Sequence, residues 1–333
     1  MPRSVVDALL ASDEPSVRWK VWVKVLGEDP AGLAARRLQD EIRRSATVRA
    51  LLDGQAGLRI GVYHRWQGAH WVLLALADLG YPAGDPQLRP LADAVTGHWL
   101  AERYFREVTV GPDGGRAAAS VPAVPVLDGL YRRCASQQGG ALLAAARLGL
   151  GGDHAARLAE RLLHWQWPDG GWNCDRRAGA HGSSVYETLL PMRALAAYAR
   201  AAGDEAARRG AGRASEVLLT RRLAFRRSTG RPVRREWLQL HYPVYWRYDI
   251  LAGLKGLAET GRIGDPRCGD ALDLLQGKGL PGGGWAADAA YFYPASTRRH
   301  SGDYVDWGQP AAGRMNEWVT ADALAVLAAA GRL

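Results

Sequence analysis

The sequence predicts an all-α chain whose helical hairpins close into a barrel with an inner and an outer ring of helices. Three observations carry that prediction. Apolar residues recur at three- and four-residue spacing through HWVLLALADLG (70–80), GGALLAAARLGL (139–150), YETLLPMRALAAYARAAG (186–203), DILAGLKGLAETG (249–261) and EWVTADALAVLAAAG (317–331), while β-branched runs bounded by turns are scarce. After four of these segments comes a short Gly or Asp turn and a second, more amphipathic helix: GDPQLRPLADAVTGHWL (84–100), GGDHAARLAERLLHWQ (151–166), GDEAARRGAGRASEVLLTRR (203–222) and GDPRCGDALDLLQ (264–276). The last segment is an uncapped apolar helix that needs a neighbour, which favours a closed ring over an open superhelix.

Taken in order, residues 1–55 supply helices that pack on the ring or complete it, among them PSVRWKVWVKVLG and PAGLAARRLQDEIRRS. The alternating segments then supply all-round apolar inner helices and one-faced outer helices. Two stretches break the rhythm with Gly, Pro and Val, at 102–129 and 286–314, and are read as lids over a cavity mouth. The whole of 1–333 is read as one domain.

Composition agrees with a globular chain: 47% of residues are hydrophobic, and 13 Trp and 12 Tyr outweigh 3 Phe, so the large rings mostly carry a polar edge. The net charge of +9 comes from 43 Lys and Arg against 34 Asp and Glu. Because basic residues alternate with acidic ones in segments such as AARRLQDEIRR, they read as a solvated face, and no nucleic-acid partner is expected. The first residues lack the apolar core of a leader, and no stretch approaches the run of apolar residues that a membrane span needs, so a cytoplasmic protein is expected. Cys134, Cys174 and Cys268 are odd in number and widely spaced, which predicts thiols or thiolates rather than a disulfide framework.

The stretch QWPDGGW (166–172), and a degenerate copy, QGKGLPGGGW (276–285), each follow an outer helix. They resemble the QW motif of squalene and oxidosqualene cyclases and the Gly-rich turns of protein prenyltransferase β subunits. Those families share the α/α toroid, and the resemblance covers the chain from about Ser16 onward. It implies that Gln166, Trp172, Gln276 and Trp285 brace the outer ring. The cyclases' Asp-x-Asp-Asp acid motif is absent, as are the prenyltransferases' Asp-x-Cys zinc pattern and an Asp-Asp-x-x-Asp sequence, and the pair Asp303 and Asp306 does not replace them.

In such a toroid the segments entering the inner helices gather at one mouth, where helix N-termini favour anions. Those segments contain the candidate site residues. Cys134, Cys174 and His181, with His70 or His241 as a fourth ligand, have the donor types for tetrahedral zinc. Tyr242, Tyr245, Trp246 and Tyr248 suggest an aromatic wall beside His241 and Asp249. Asp249 or Glu187 could act as acid or base once desolvated, and His241, Tyr248 and His70 are further proton-transfer candidates. Trp66, Trp71, Tyr245 and Trp246 are expected to line the substrate, while Arg65, Arg133, Arg176, Arg177, Arg247 and Arg314 would hold an anionic end.

The expected function is therefore a terpenoid cyclase- or prenyltransferase-like enzyme for a small-molecule or lipid-like substrate that is hydrophobic and carries an anionic end, with zinc as the candidate cofactor. Two alternatives compete: a polysaccharide lyase or glycoside hydrolase built on a helical barrel, and a non-catalytic toroid that binds a lipid or partner.

Overall fold

The computed structural model describes residues 3–55, 60–111, 123–226, 229–294 and 300–333. It is mostly helical, with 53% helix and 5% strand, and every apolar and amphipathic segment named above forms a helix. The described residues fall into two compact units, Met1–Ala83 with Thr220–Leu333, and Gly84–Leu219.

The first unit begins with α1 (Arg3–Leu10) and α2 (Pro15–Lys20). Glu14 starts α2 by accepting the Ser16 N–H, and Pro15 needs no partner at the first helical position. A π-helical turn, Val21–Val25, continues it. α3 (Leu33–Arg44) buries only Ala35 and Ile42, and α4 (Ala46–Asp53) is capped by Ser45, whose hydroxyl accepts the Val48 N–H. α5 (Ala69–Leu79) is buried from Ala69 to Ala77 and ends at Gly80, φ 81°, the left-handed conformation that glycine adopts without a Cβ penalty.

The second unit follows with α6 (Arg89–Trp99) and a three-stranded sheet. In the sheet β1 (Glu107–Thr109) pairs parallel with β2 (Val124–Leu127), which pairs antiparallel with β3 (Leu130–Tyr131). Next come α7 (Ala135–Leu148), α8 (Gly152–His164), α9 (Val185–Ala202) and α10 (Glu205–Leu219). α9 packs along both α7 and α10. α8 buries one stripe, Ala155, Leu158, Ala159 and Leu162, the spacing of a helix with one face on a core. Where α7 and α9 meet, a Cβ on Gly139 would lie 2.6 Å from the Pro191 nitrogen, so only glycine permits this approach.

The chain then returns to the first unit through a short 3-10 turn (Arg235–Leu238), α11 (Ile250–Glu259), α12 (Gly269–Gly277) and α13 (Glu317–Ala329). Asp249 caps α11 by accepting the Ala252 N–H at 2.7 Å, and Asn316 caps α13.

The two stretches read as lids carry structure of their own in their described parts. That of 102–129 includes the strand β2, where Val124, Pro125 and Leu127 are all buried. In the described part of 286–314, Asp303 is fully buried and accepts the Trp307 indole N–H at 3.0 Å and the Tyr245 hydroxyl, while Tyr304 donates to Gly54 O at 2.8 Å. Residues 112–122 and 295–299 of those two stretches lie outside the described residues.

Candidate functional site

The tight turn QWPDGGW joins α8 to α9, and its hydrogen bonds explain its composition. Trp172 is buried, donating its indole N–H to Leu162 O at 2.9 Å, and its own N–H goes to the Thr188 hydroxyl at 3.3 Å. The Gln166 amide donates to Gly170 O at 2.6 Å and to Gly210 O at 2.8 Å. A Cβ on Gly171 would sit 2.4 Å from the Thr188 oxygen, so the second glycine lets the turn press against α9. These residues brace helices, as the resemblance implies for Gln166 and Trp172.

Beyond Trp172 the chain runs out and back before entering α9. Asn173 forms a bridge with Arg132 and donates to Gly182 O at 2.8 Å, and Asp169 accepts the Ser183 N–H at 2.8 Å. This excursion carries Cys174 to the start of α7. There Cys134 occupies the residue before the first helical one, and Glu187 lies in the first turn of α9. One donor atom each from Cys134, Cys174 and Glu187 lie within 4.8 Å of one another. Glu187 is fixed from two sides: its Oε2 accepts the Ser136 N–H at 3.0 Å, and its Oε1 accepts the Cys174 thiol at 3.5 Å.

The electrostatics sort these groups. The hydrogen bond from Cys174 lowers the pKa of Cys134, and the Arg133 and Arg176 charges also favour its thiolate. The same bond raises that of Cys174, which burial and Glu187 reinforce, so Cys134 ionises first. Burial raises the Glu187 carboxyl above its ordinary range. Arg133, whose own pKa burial lowers, lies over the Tyr104 ring at 5.0 Å and donates to Gln137 Oε1 at 2.7 Å. One turn into α7, Gln138 is fully buried with neither amide atom hydrogen-bonded.

The expected metal ligands are thus regrouped. Cys134 and Cys174 come together, but His181 is exposed and outside the cluster, because residues 173–182 fold outward. Glu187 takes its place as third donor. Two thiols and a carboxylate are a fitting zinc set: tetrahedral bonds of about 2.0–2.3 Å place ligand atoms some 3–4 Å apart, and here Cys174 Sγ lies 3.5 Å from Glu187 Oε1, with all three donor atoms within 4.8 Å of one another.

Apart from Arg177, which is exposed and paired with Asp175 in the second unit, the remaining candidates lie in the first unit, and most are packed into its core. Trp66 stacks on Tyr245 at 4.2 Å, Tyr242 stacks on Trp318 at 5.1 Å, and Tyr248 meets Trp237 edge-on at 5.0 Å. The anticipated aromatic wall is therefore three separate contacts; Tyr245, at φ 49°, sits where the chain turns sharply. Trp71 and His70 are buried edge to face at 4.7 Å. Tyr248 gives its hydroxyl to Leu223 O at 2.8 Å, and burial pushes its pKa far up. Trp246 lies beneath Arg65 and Arg247, and Arg247 also covers the Tyr291 ring at 3.7 Å.

His241 and Asp249 do form a pair. His241 Nδ1 is 3.0 Å from Asp249 Oδ2 and 3.1 Å from Gln239 O, both acceptors, so Nδ1 is the donor, while Nε2 is buried without a hydrogen-bond partner. Asp249 is wholly buried and holds the His241 and Ala252 backbone N–H groups, so it acts as a helix cap and an orienting group.

Sequence reasoning missed a charged quartet, in which Lys20 and Asp322 are buried and Asp78 and Lys255 half-buried. Lys20 lies 3.0 Å from both Asp78 and Asp322, and Lys255 lies 2.8 Å and 2.7 Å from the same two carboxylates. The available signal was charge inside apolar helices: Lys20 and Lys255 are two of four lysines, and each stands in an otherwise apolar run.

No family model matches the chain, and no curated protein matches it.

Proposed function

We propose that this chain is an α/α toroid enzyme of the terpenoid cyclase and prenyltransferase type, working at a zinc centre held by Cys134, Cys174 and Glu187, on a hydrophobic substrate with an anionic end. The observation that carries the reading is the convergence of two thiols and a carboxylate, from three separate segments, within 4.8 Å at the entrance to α7 and α9. The toroid is supported by helices buried all round alternating with one-faced helices, and by the recurrence of the QW-like turn in both units.

Bound zinc would act as a Lewis acid or hold a thiolate at neutral pH. The chain supplies the rest. Ser136 N–H and the start of α7 keep Glu187 in place, and Arg133 and Arg176 provide the field for an anion. Gln138 offers an uncommitted amide to a polar group of the substrate. The saccharide alternative draws on open ring faces, whereas Trp66 and Trp71 are each 1% exposed.

Elemental analysis of natively purified protein tests the centre. Stoichiometric zinc that is lost in Cys134→Ser and Cys174→Ser but kept in His181→Ala supports it. Absence of zinc that also fails to bind on titration would remove the reading. Diphosphate release from a panel of prenyl diphosphates, weakened by Arg133→Ala, tests the substrate class.

A further inference from the structure

Positive charge is less evenly spread than the helices suggest. Residues 221–235, RRLAFRRSTGRPVRR, hold seven arginines and no acidic residue. The structure folds the described part of this stretch into a hairpin arm: Phe225 pairs antiparallel with Pro232, the Arg226 N–H donates to Arg231 O at 2.9 Å, and the Val233 N–H donates to Ala224 O at 2.8 Å.

The arm has a rigid root. Leu223 and Ala224 are fully buried, Trp237 is nearly so, and Tyr248 donates to Leu223 O at 2.8 Å. Arg222 and Leu223 both have positive φ, 41° and 65°, a conformation that costs side-chain-bearing residues energy and persists where packing enforces it. Arg226 and Arg231 are exposed and face each other across the strands, an arrangement of like charges that destabilises a hairpin. Arg222 pairs with Asp270 and Arg234 with Glu236, but Arg226, Arg231 and Arg235 have no carboxylate partner among the described residues. Arg226 and Arg231 therefore add like charge to the hairpin without an ion pair among the described residues to offset it.

We infer that the arm is a docking element for the phosphate headgroups of an anionic lipid bilayer, which it touches from the side without any span. Guanidinium groups grip phosphate oxygens in pairs, and each basic side chain near an anionic surface contributes to attraction. Between 221 and 235 there is no Asn, Gln, His, Trp or Tyr, so the arm lacks the amide groups that read base edges, and Phe225 is its one ring. The choice of a bilayer over other polyanions rests in part on the apolar substrate proposed above. No described helix is long and apolar enough to cross a membrane, so binding is peripheral.

Vesicle flotation tests the inference with the full chain. Phosphatidylcholine vesicles containing phosphatidylglycerol should bind the protein, pure phosphatidylcholine should not, and added salt should release it. Arg226→Ala with Arg231→Ala should weaken binding about thirty-fold, at an unchanged melting temperature, while the double lysine variant should keep most of it. Equal binding to neutral vesicles, indifference to the alanine pair, or preferential capture by duplex DNA or RNA in competition would each overturn it. Cys174→Ser should bind vesicles like the parent, so loss of zinc and loss of docking are read separately.

Discussion

Trp172 and Trp285 do the same thing in different parts of the chain. Each indole N–H donates to the carbonyl of the leucine ten residues earlier, Leu162 at 2.9 Å and Leu275 at 2.7 Å. Each backbone N–H goes to the threonine at the fourth position of the next described α-helix, Thr188 and Thr320. Even the turn bonds repeat: Trp167 N–H to Gly171 O at 2.8 Å matches Leu280 N–H to Gly284 O at 2.9 Å.

That equivalence has one exception, which predicts unequal sensitivity. Trp172→Phe takes the indole donor from the Leu162 carbonyl, at a cost of about 1–3 kcal/mol, whereas in Trp285→Phe the Lys278 N–H still reaches Leu275 O at 3.2 Å and the cost is smaller. Thr188→Val and Thr320→Val should cost amounts similar to one another. Denaturant midpoints of the four variants check this.

The quartet of Lys20, Asp78, Lys255 and Asp322 should respond to charge balance more than to loss of a contact. Lys20→Met strands buried carboxylate charge and is expected to destabilise by about 3–5 kcal/mol. Adding Asp322→Leu leaves Lys255 with Asp78, and most of the stability should return. A double-mutant cycle in urea measures the coupling.

The three thiols should alkylate in order in metal-free protein. Cys134 ionises early because the neighbouring Cys174 sulfur and the Arg133 and Arg176 charges favour its thiolate, whereas burial pushes Cys268 up to about 11. Mass spectrometry after limited iodoacetamide treatment near pH 8 should find Cys134 labelled first and Cys268 last. Zinc should protect Cys134 and leave Cys268 unchanged.

Glu187 predicts a pH dependence of known sign. Its pKa is raised in the folded state from an ordinary 4.5, so the metal-free folded protein holds a proton that the unfolded chain has lost. Its stabilising share is complete below 4.5 and declines as pH climbs from there through the raised value. Glu187→Gln should flatten that decline, which urea midpoints in chelator across the range will show.

The helices were legible because burial writes itself into spacing: α5, α7, α9, α11 and α13 follow the apolar periodicity, and Asp85 and Asp265 start their turns as the Gly-Asp punctuation suggests. The thiol pair was also legible from residue type and position at helix entries. His181 was misassigned because proximity in sequence to Cys174 says nothing about which way a loop folds. The separate fates of Tyr242, Tyr245 and Tyr248 escaped for a related reason, since adjacent rings in an irregular segment need not share a face. Asp78 and Asp322 were hidden because a charge in an apolar helix reveals its partner only once the helices are packed.

The bonds around QWPDGGW also define where the chain can be cut. They tie the end of α8 to the start of α9, and through Gln166 to Gly210 of α10, whereas Gly149 and Gly203, both left-handed, separate α7 from α8 and α9 from α10. The turn's hydrogen bonds therefore follow α8, turn and α9, while the packing of α9 along α10 follows the hairpin. A grafted segment that opens the chain at Gly203 rather than at Gly170 keeps the Trp172 bonds to Leu162 and Thr188 within it, and gives up the Gln166 bond to Gly210 and the packing of α9 on α10.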